Sequence, residues 1–95
     1  MLRIRVRLLG SLSEYSRGEG VLTFEFAPSI ADIIGRLVFE LGSSFGEDLF
    51  DPVIGSSISR CLIISNGIEI GALDGMETRL TEDGELVIIP VSHGG

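Results

Sequence analysis

The chain has 95 residues, 44% of them hydrophobic, and a formal net charge of −7. That is enough for one domain around one core, and the acidic balance argues against nucleic acid, whose phosphates need a basic footprint. The single cysteine, Cys61, has no partner for an internal disulfide and cannot build a cysteine-based metal cage.

Every hydrophobic block is interrupted by Arg, Asp, Glu, Gly or Ser within about ten residues, so no membrane partner is expected. The opening MLRIRVRLL interleaves charge with apolar residues and does not read as a signal peptide. The expected setting is the cytoplasm. All seven positive side chains are Arg, and no Lys occurs. Composition bias accounts for this as readily as function. The functional reading is that a chain with an activated C-terminal acyl group gains from having no lysine amine of its own to attack it.

Residues 1–9 alternate strictly, with Leu2, Ile4, Val6 and Leu8 on one face and Arg3, Arg5 and Arg7 on the other. Period two predicts a strand with one buried face. Residues 10–20 carry turn formers and predict a long loop. Residues 21–26 alternate again, placing Leu22, Phe24 and Phe26 together and completing an antiparallel hairpin.

The period then changes. Ile30, Ile33, Ile34, Leu37, Val38 and Leu41 form one helical stripe. Ser29 is the expected N-cap, Asp32 takes the N3 place of a capping box, and Gly42 the C′ stop. Gly35 inside the helix is expected to mark close packing on the sheet. In residues 43–60, Phe45, Leu49 and Phe50 predict a short helical turn ended by Asp51-Pro52. Residues 61–65 predict a buried strand, Asn66-Gly67 a two-residue hairpin turn, and residues 68–70 the returning strand. After the Asp83-Gly84 turn, residues 85–89 predict the last strand, stopped by Pro90, which cannot donate to a ladder. The pattern is an α+β domain, one helix across one face of a mixed sheet. The first and last strands are expected to be central, parallel neighbours.

The run from Leu62 through Asn66-Gly67, then Leu80-Thr81-Glu82-Asp83-Gly84-Glu85, the strand to Pro90-Val91-Ser92, and the closing Gly94-Gly95 resemble the MoaD/ThiS sulfur-carrier proteins. Within them the small subunit of molybdopterin synthase is the best match. The resemblance implies a ubiquitin-like β-grasp, with a four- to five-stranded mixed sheet and one main helix. It divides the chain into a domain over 1–90 and a flexible Gly-Gly tail over 91–95. One residue departs from the pattern: His93 stands between Ser92 and the glycines, where the tail commonly reads Pro-Val-Ser-Gly-Gly. That residue leaves open which partner the tail fits.

The function implied is that of a carrier with no active site of its own. Gly95 would offer the C-terminal carboxylate that an E1-like adenylating enzyme activates, using ATP. A sulfur-donor protein would convert the acyl-adenylate to a thiocarboxylate. The large subunit of molybdopterin synthase would receive the sulfur. A carrier for thiamine or tRNA thiolation and a ubiquitin-like modifier share the activation step; an interaction domain whose glycines are incidental does not. The chain itself is expected to bind no cofactor and no metal.

Glycine suits such a tail because it lacks Cβ and lets channel walls approach. Pro90, Val91, Ser92, His93 and Gly94 are the tail residues expected to meet partners. One helix covers one sheet face, so the alternate residues of strands 61–65 and 85–89 should be exposed beside Arg3, Arg5 and Arg7, forming a docking surface. The opposing reading is that residues 43–60 fold over that face or that the protein dimerises there. His93 reads more simply as a solvated residue than as a participant in acyl transfer. Cys61 reads as a buried small hydrophobe, and Glu82-Asp83 as a solvated turn.

Overall fold

A computed structural model describes residues 1–15, 19–49 and 61–91. Five strands, β1 (Leu2–Leu8), β2 (Glu19–Phe24), β3 (Cys61–Ser65), β4 (Ile68–Glu69) and β5 (Gly84–Pro90), form one mixed sheet in the order β2-β1-β5-β3-β4. The helix α1 (Ile30–Leu41) is followed by the shorter α2 (Ser43–Leu49). β1 and β5 are parallel neighbours in the middle, with Val6 beside Leu86 and Leu8 beside Ile88. β1 pairs antiparallel with β2, and β5 with β3. The expected central parallel pair is therefore present.

Period two in the strands and 3.6 in the helix decide which atoms meet. Ile4, Val6, Leu8, Leu22, Phe24, Ile63, Leu86 and Ile88 of the sheet are buried, as are Ile30, Ile33, Ile34 and Leu37 of α1. Each such side chain contributes roughly 1.5–3 kcal/mol by leaving water. The start of α1 is closed by the predicted capping box. The Asp32 backbone N–H donates to Ser29 Oγ (3.1 Å), and the Ser29 N–H donates to Asp32 Oδ2 (2.9 Å). That N–H, which the charged carboxylate accepts, holds Asp32 below its ordinary pKa. Gly42 ends the helix at φ 101°, its N–H donating to the Val38 carbonyl (2.9 Å).

Three local expectations are corrected. Residues 10–14 are a 3-10 turn that buries Leu12, so the start of the expected loop belongs to the core. Next to it the Tyr15 ring meets Phe45 edge-on at 5.2 Å, and its hydroxyl donates to Asp48 Oδ2 (2.5 Å). That bond to a carboxylate pushes the phenol up to about 12. Phe26 does not continue the inner face: β2 ends at Phe24, and Phe26 is 53% exposed. The chain beyond it leaves β1 and binds elsewhere, Leu80 N–H donating to the Pro28 carbonyl and Ile30 N–H to Thr78, both at 2.9 Å. Gly35 does not pack on the sheet. It lies on the solvent side of α1 with Ala31 and Phe39, and a Cβ there would meet nothing within 4 Å.

The predicted turn at 43–60 is in part the helix α2, whose Phe45 and Leu49 are buried. Its expected stop, from Phe50 through Asp51-Pro52, lies outside the described residues. The strand expected over 68–70 is two residues long, and Ile70 turns inward in a 3-10 turn.

Candidate functional site

β5 is the central strand, paired with β1 as far as Ile88 and with β3 to its last residue, where Pro90 stands opposite Cys61. The Leu9 N–H donates to the Ile88 carbonyl (3.0 Å). Gly10 lies so near that a Cβ on it would come within 2.9 Å of the Pro90 ring. Val91 follows, exposed. The last described residues thus stand in the middle of the sheet, at a firmly held point. Ser92, His93, Gly94 and Gly95 lie outside the described residues.

The face of the sheet away from α1 carries the residues that the alternation sent outward. Arg3, Arg5 and Arg7 are exposed along β1. Leu62 is 44% exposed, and Ile64, Val87 and Ile89 are half-buried. Register sets them in rows: Arg7, Val87, Ile64 and Glu69 in one, Ile89 and Leu62 in the next. The outer face is therefore graded, cationic at β1, apolar over Val87 and Ile89 of β5 and over β3, and acidic at Glu69 of β4, with Glu85 beside Arg5 near the start of β5. It brings the three arginines beside the strand that ends at Pro90. At the opposite end, Arg3, Arg5, Val21, Asn66, Asp83, Gly84 and Glu85 line an open cleft of about 530 Å3.

The start of β5 is set by a joint that the sequence reading treated as two separate turns. Asn66 (φ 49°) and Gly67 (φ 85°) both take the left-handed conformation of a two-residue hairpin turn. The Asn66 N–H donates to the Glu85 carbonyl (2.9 Å), and Asn66 Oδ1 accepts from the Glu85 N–H (2.8 Å). This needs glycine at position 84, because a Cβ there would lie 2.5 Å from Asn66 Oδ1. On the other side Asp83 Oδ1 accepts from the Arg3 N–H (2.9 Å). Asn66 and Gly84 thus fix the register of β5 and so the point where the chain leaves. The sequence carries the signal as Asn-Gly and Asp-Gly, but nothing local says that they touch.

Replacing Gly84 by Ala should push the Asn66 carboxamide off Glu85, at a cost of about 1–3 kcal/mol. In an Asn66→Ala background the same replacement should cost much less, and a double-mutant cycle by urea unfolding checks this.

Cys61 faces the core. Burial pushes its thiol up to about 11, and Asp48 adds to the shift, so it stays protonated at neutral pH. This fits a packing role.

No protein-family model matches the chain, and no curated protein matches it by sequence. Solved structures do. The solution structure of small archaeal modifier protein 1 from Methanosarcina acetivorans is 27% identical, with a TM-score of 0.78 over 100% of this chain and 98% of that one. A candidate molybdopterin converting factor subunit 1 from Pyrococcus furiosus is 12% identical, with a TM-score of 0.73 over 97% and 100%. CysO in the BexX/CysO complex of Amycolatopsis orientalis is 16% identical, with a TM-score of 0.71 over 97% and 99%. The chain has the ubiquitin-like β-grasp fold of these proteins, the fold that the MoaD/ThiS resemblance implies. In this ubiquitin-like chain no described helix is long and apolar enough to cross a membrane.

Proposed function

We propose that the chain is a sulfur carrier whose final glycine, Gly95, is the reacting residue. A carboxylate oxygen of Gly95 attacks the α-phosphorus of ATP on an E1-like enzyme, and pyrophosphate leaves. A sulfide-level nucleophile from a sulfur-donor protein then adds to the carbonyl carbon, AMP leaves, and a thiocarboxylate results. The sulfur is donated for molybdopterin synthesis, on the large subunit of the synthase, in the cytoplasm. The carrier contributes position: a strand held to Pro90 presents residues 91–95, and the outer face gives partners a surface to grip. Ordering a short tail costs about 1 kcal/mol or more per residue, so contacts made by the body must offset it.

The observation that carries this reading is the end of the central strand at Pro90 beside an apolar, arginine-edged face. The likeness to the Pyrococcus protein supports molybdopterin as the destination, and the BexX/CysO complex shows a protein of this fold associated with another. A second reading, a modifier joined through Gly95 to amines of target proteins, is favoured by the likeness to the Methanosarcina protein. Lacking lysine, the chain cannot build isopeptide-linked chains on itself.

Intact mass after incubation with ATP, an E1-like enzyme and a sulfide source tests the proposal. The expected result is a gain equal to one oxygen exchanged for one sulfur, abolished by deleting Gly95. An unchanged mass, under conditions that modify a known carrier, would leave only a binding domain. Appearance of the chain on target proteins without the oxygen-for-sulfur exchange would decide for the modifier.

A further inference from the structure

The outer face of the sheet carries an order that the docking of an enzyme does not require. Across β1, β5, β3 and β4 one row runs Arg7, Val87, Ile64, Glu69: a cation, two aliphatic side chains, an anion. Taken from its other end, the row is its own complement. The next row is Ile89 and Leu62, centred like the first on the boundary between β5 and β3. Both rows thus share one line, parallel to the strands, with apolar side chains on either side of it and opposite charges at the ends.

A two-fold axis along that line turns a second copy so that its outer face meets the first. Such a closed pair uses one patch on both copies, residue i meeting j and j meeting i. The rotation keeps each row at its own height and exchanges left for right. Arg7 then lies over Glu69 of the second copy, and Glu69 over Arg7. Val87 meets Ile64 and Ile89 meets Leu62, each twice. Stacked sheets lie about 10 Å apart, close enough for aliphatic side chains from both faces to interdigitate. Aligned sheets cross at roughly 30°, and an arginine stem can lie along the apolar row and still carry its charge to the end.

The other charges of the face lie off these rows. Arg3 and Arg5 stand nearer the start of β1, with Glu85 beside Arg5. Glu19, opposite Arg7 on β2, is beyond the four strands used. Glu69 Oε2 accepts from the Gly71 N–H, which holds that carboxylate at the edge of the face. A uniformly acidic or uniformly basic partner would satisfy one end of the row, whereas a second copy satisfies both. The net charge of −7 on each copy opposes association, and the patch is smaller than a standard interface. Pairing is therefore weak and reversible, with a Kd of about 100 µM. We propose that the free chain pairs with a second copy, outer face to outer face, about this axis. The pairing itself stands apart from the tail chemistry. That it shuts out an activating enzyme rests on the docking proposed above, since both would cover Leu62 and Ile89.

Sedimentation equilibrium of the full-length chain, from about 10 µM to about 1 mM, tests this. The mass is expected to rise from one chain toward two. Arg7→Glu and Glu69→Arg, both at exposed positions, should each weaken pairing by roughly tenfold or more, because either sets like charges together twice. An equimolar mixture of the two variants should pair at least as tightly as the unaltered chain, each charge again meeting its opposite. A folding defect cannot produce that recovery. Deleting Gly95 should leave the pairing unchanged. A constant single-chain mass, undiminished pairing in either variant, or a mixture no tighter than its components would overturn the proposal. So would concentration-dependent amide shifts confined to β2 and α1 in place of residues 62, 64, 87 and 89. With an E1-like enzyme and ATP, the mixture should be activated more slowly than the mean of its two components. Equal rates would overturn the exclusion of the enzyme. No activation of the unaltered chain would count against the sulfur carrier, while the measured mass still decides the pairing.

Discussion

Replacing Leu62 by Glu is expected to leave the domain folded and to lower its activation by an E1-like enzyme by roughly thirtyfold or more, the scale of a central interface residue. Leu62 sits 44% exposed on β3 beside Ile89, in the apolar middle of the outer face. The folded chain loses little from the change, because a surface substitution away from core and caps moves stability by about 0.5 kcal/mol. A partner closing over this face would have to strip water from a carboxylate. The tail is untouched, so any loss must come from docking. Initial rates of pyrophosphate release against carrier concentration check this, with thermal unfolding as the control. A loss carried by KM with kcat retained is the expected pattern. An unchanged rate would remove the outer face from the interface.

The alternation in residues 1–9 and the stripe from Ile30 to Leu41 were legible because each is local. A strand or helix buries whatever its own period sends to one side. The outer apolar set followed from the same rule, since one helix layer covers one face. What could not be read was long-range. Leu12 is buried because the chain folds back over the corner where Leu9 bonds Ile88, which no property of residues 10–15 announces. Gly35 was assigned to the wrong face because a helical glycine has two readings, and only its position relative to Ala31 and Phe39 decides between them. The Asn66 to Glu85 bond spans nineteen positions and makes one joint of two turns. The order of charge across the outer face depends on strand order, a property of the whole sheet. The tail was the reverse case: Gly94-Gly95 was the strongest functional signal in the sequence, and the structure adds that the strand preceding it is held at Pro90.

Truncating Ile88 to alanine should destabilise the domain by about 2–5 kcal/mol, whereas the same truncation at Ile89 should cost about 1 kcal/mol or less. The two are adjacent on one strand, but alternation turns Ile88 into the core, fully buried, and Ile89 to the outer face, half-buried. Small domains have roughly 5–15 kcal/mol in all, so the first change removes a large fraction of stability and should shift the urea midpoint far to lower concentration. The slope with denaturant should stay constant if only the native state is affected. The pair also tests the site. A large loss at Ile89 would mean that the outer face is packed under other parts of the chain and closed to partners. A small loss there, with a strong defect in E1-dependent activation, would mean that the exposed row of β5 is held for binding. The inner row then sets how firmly the domain holds Pro90, and the outer row sets who approaches the tail beyond it.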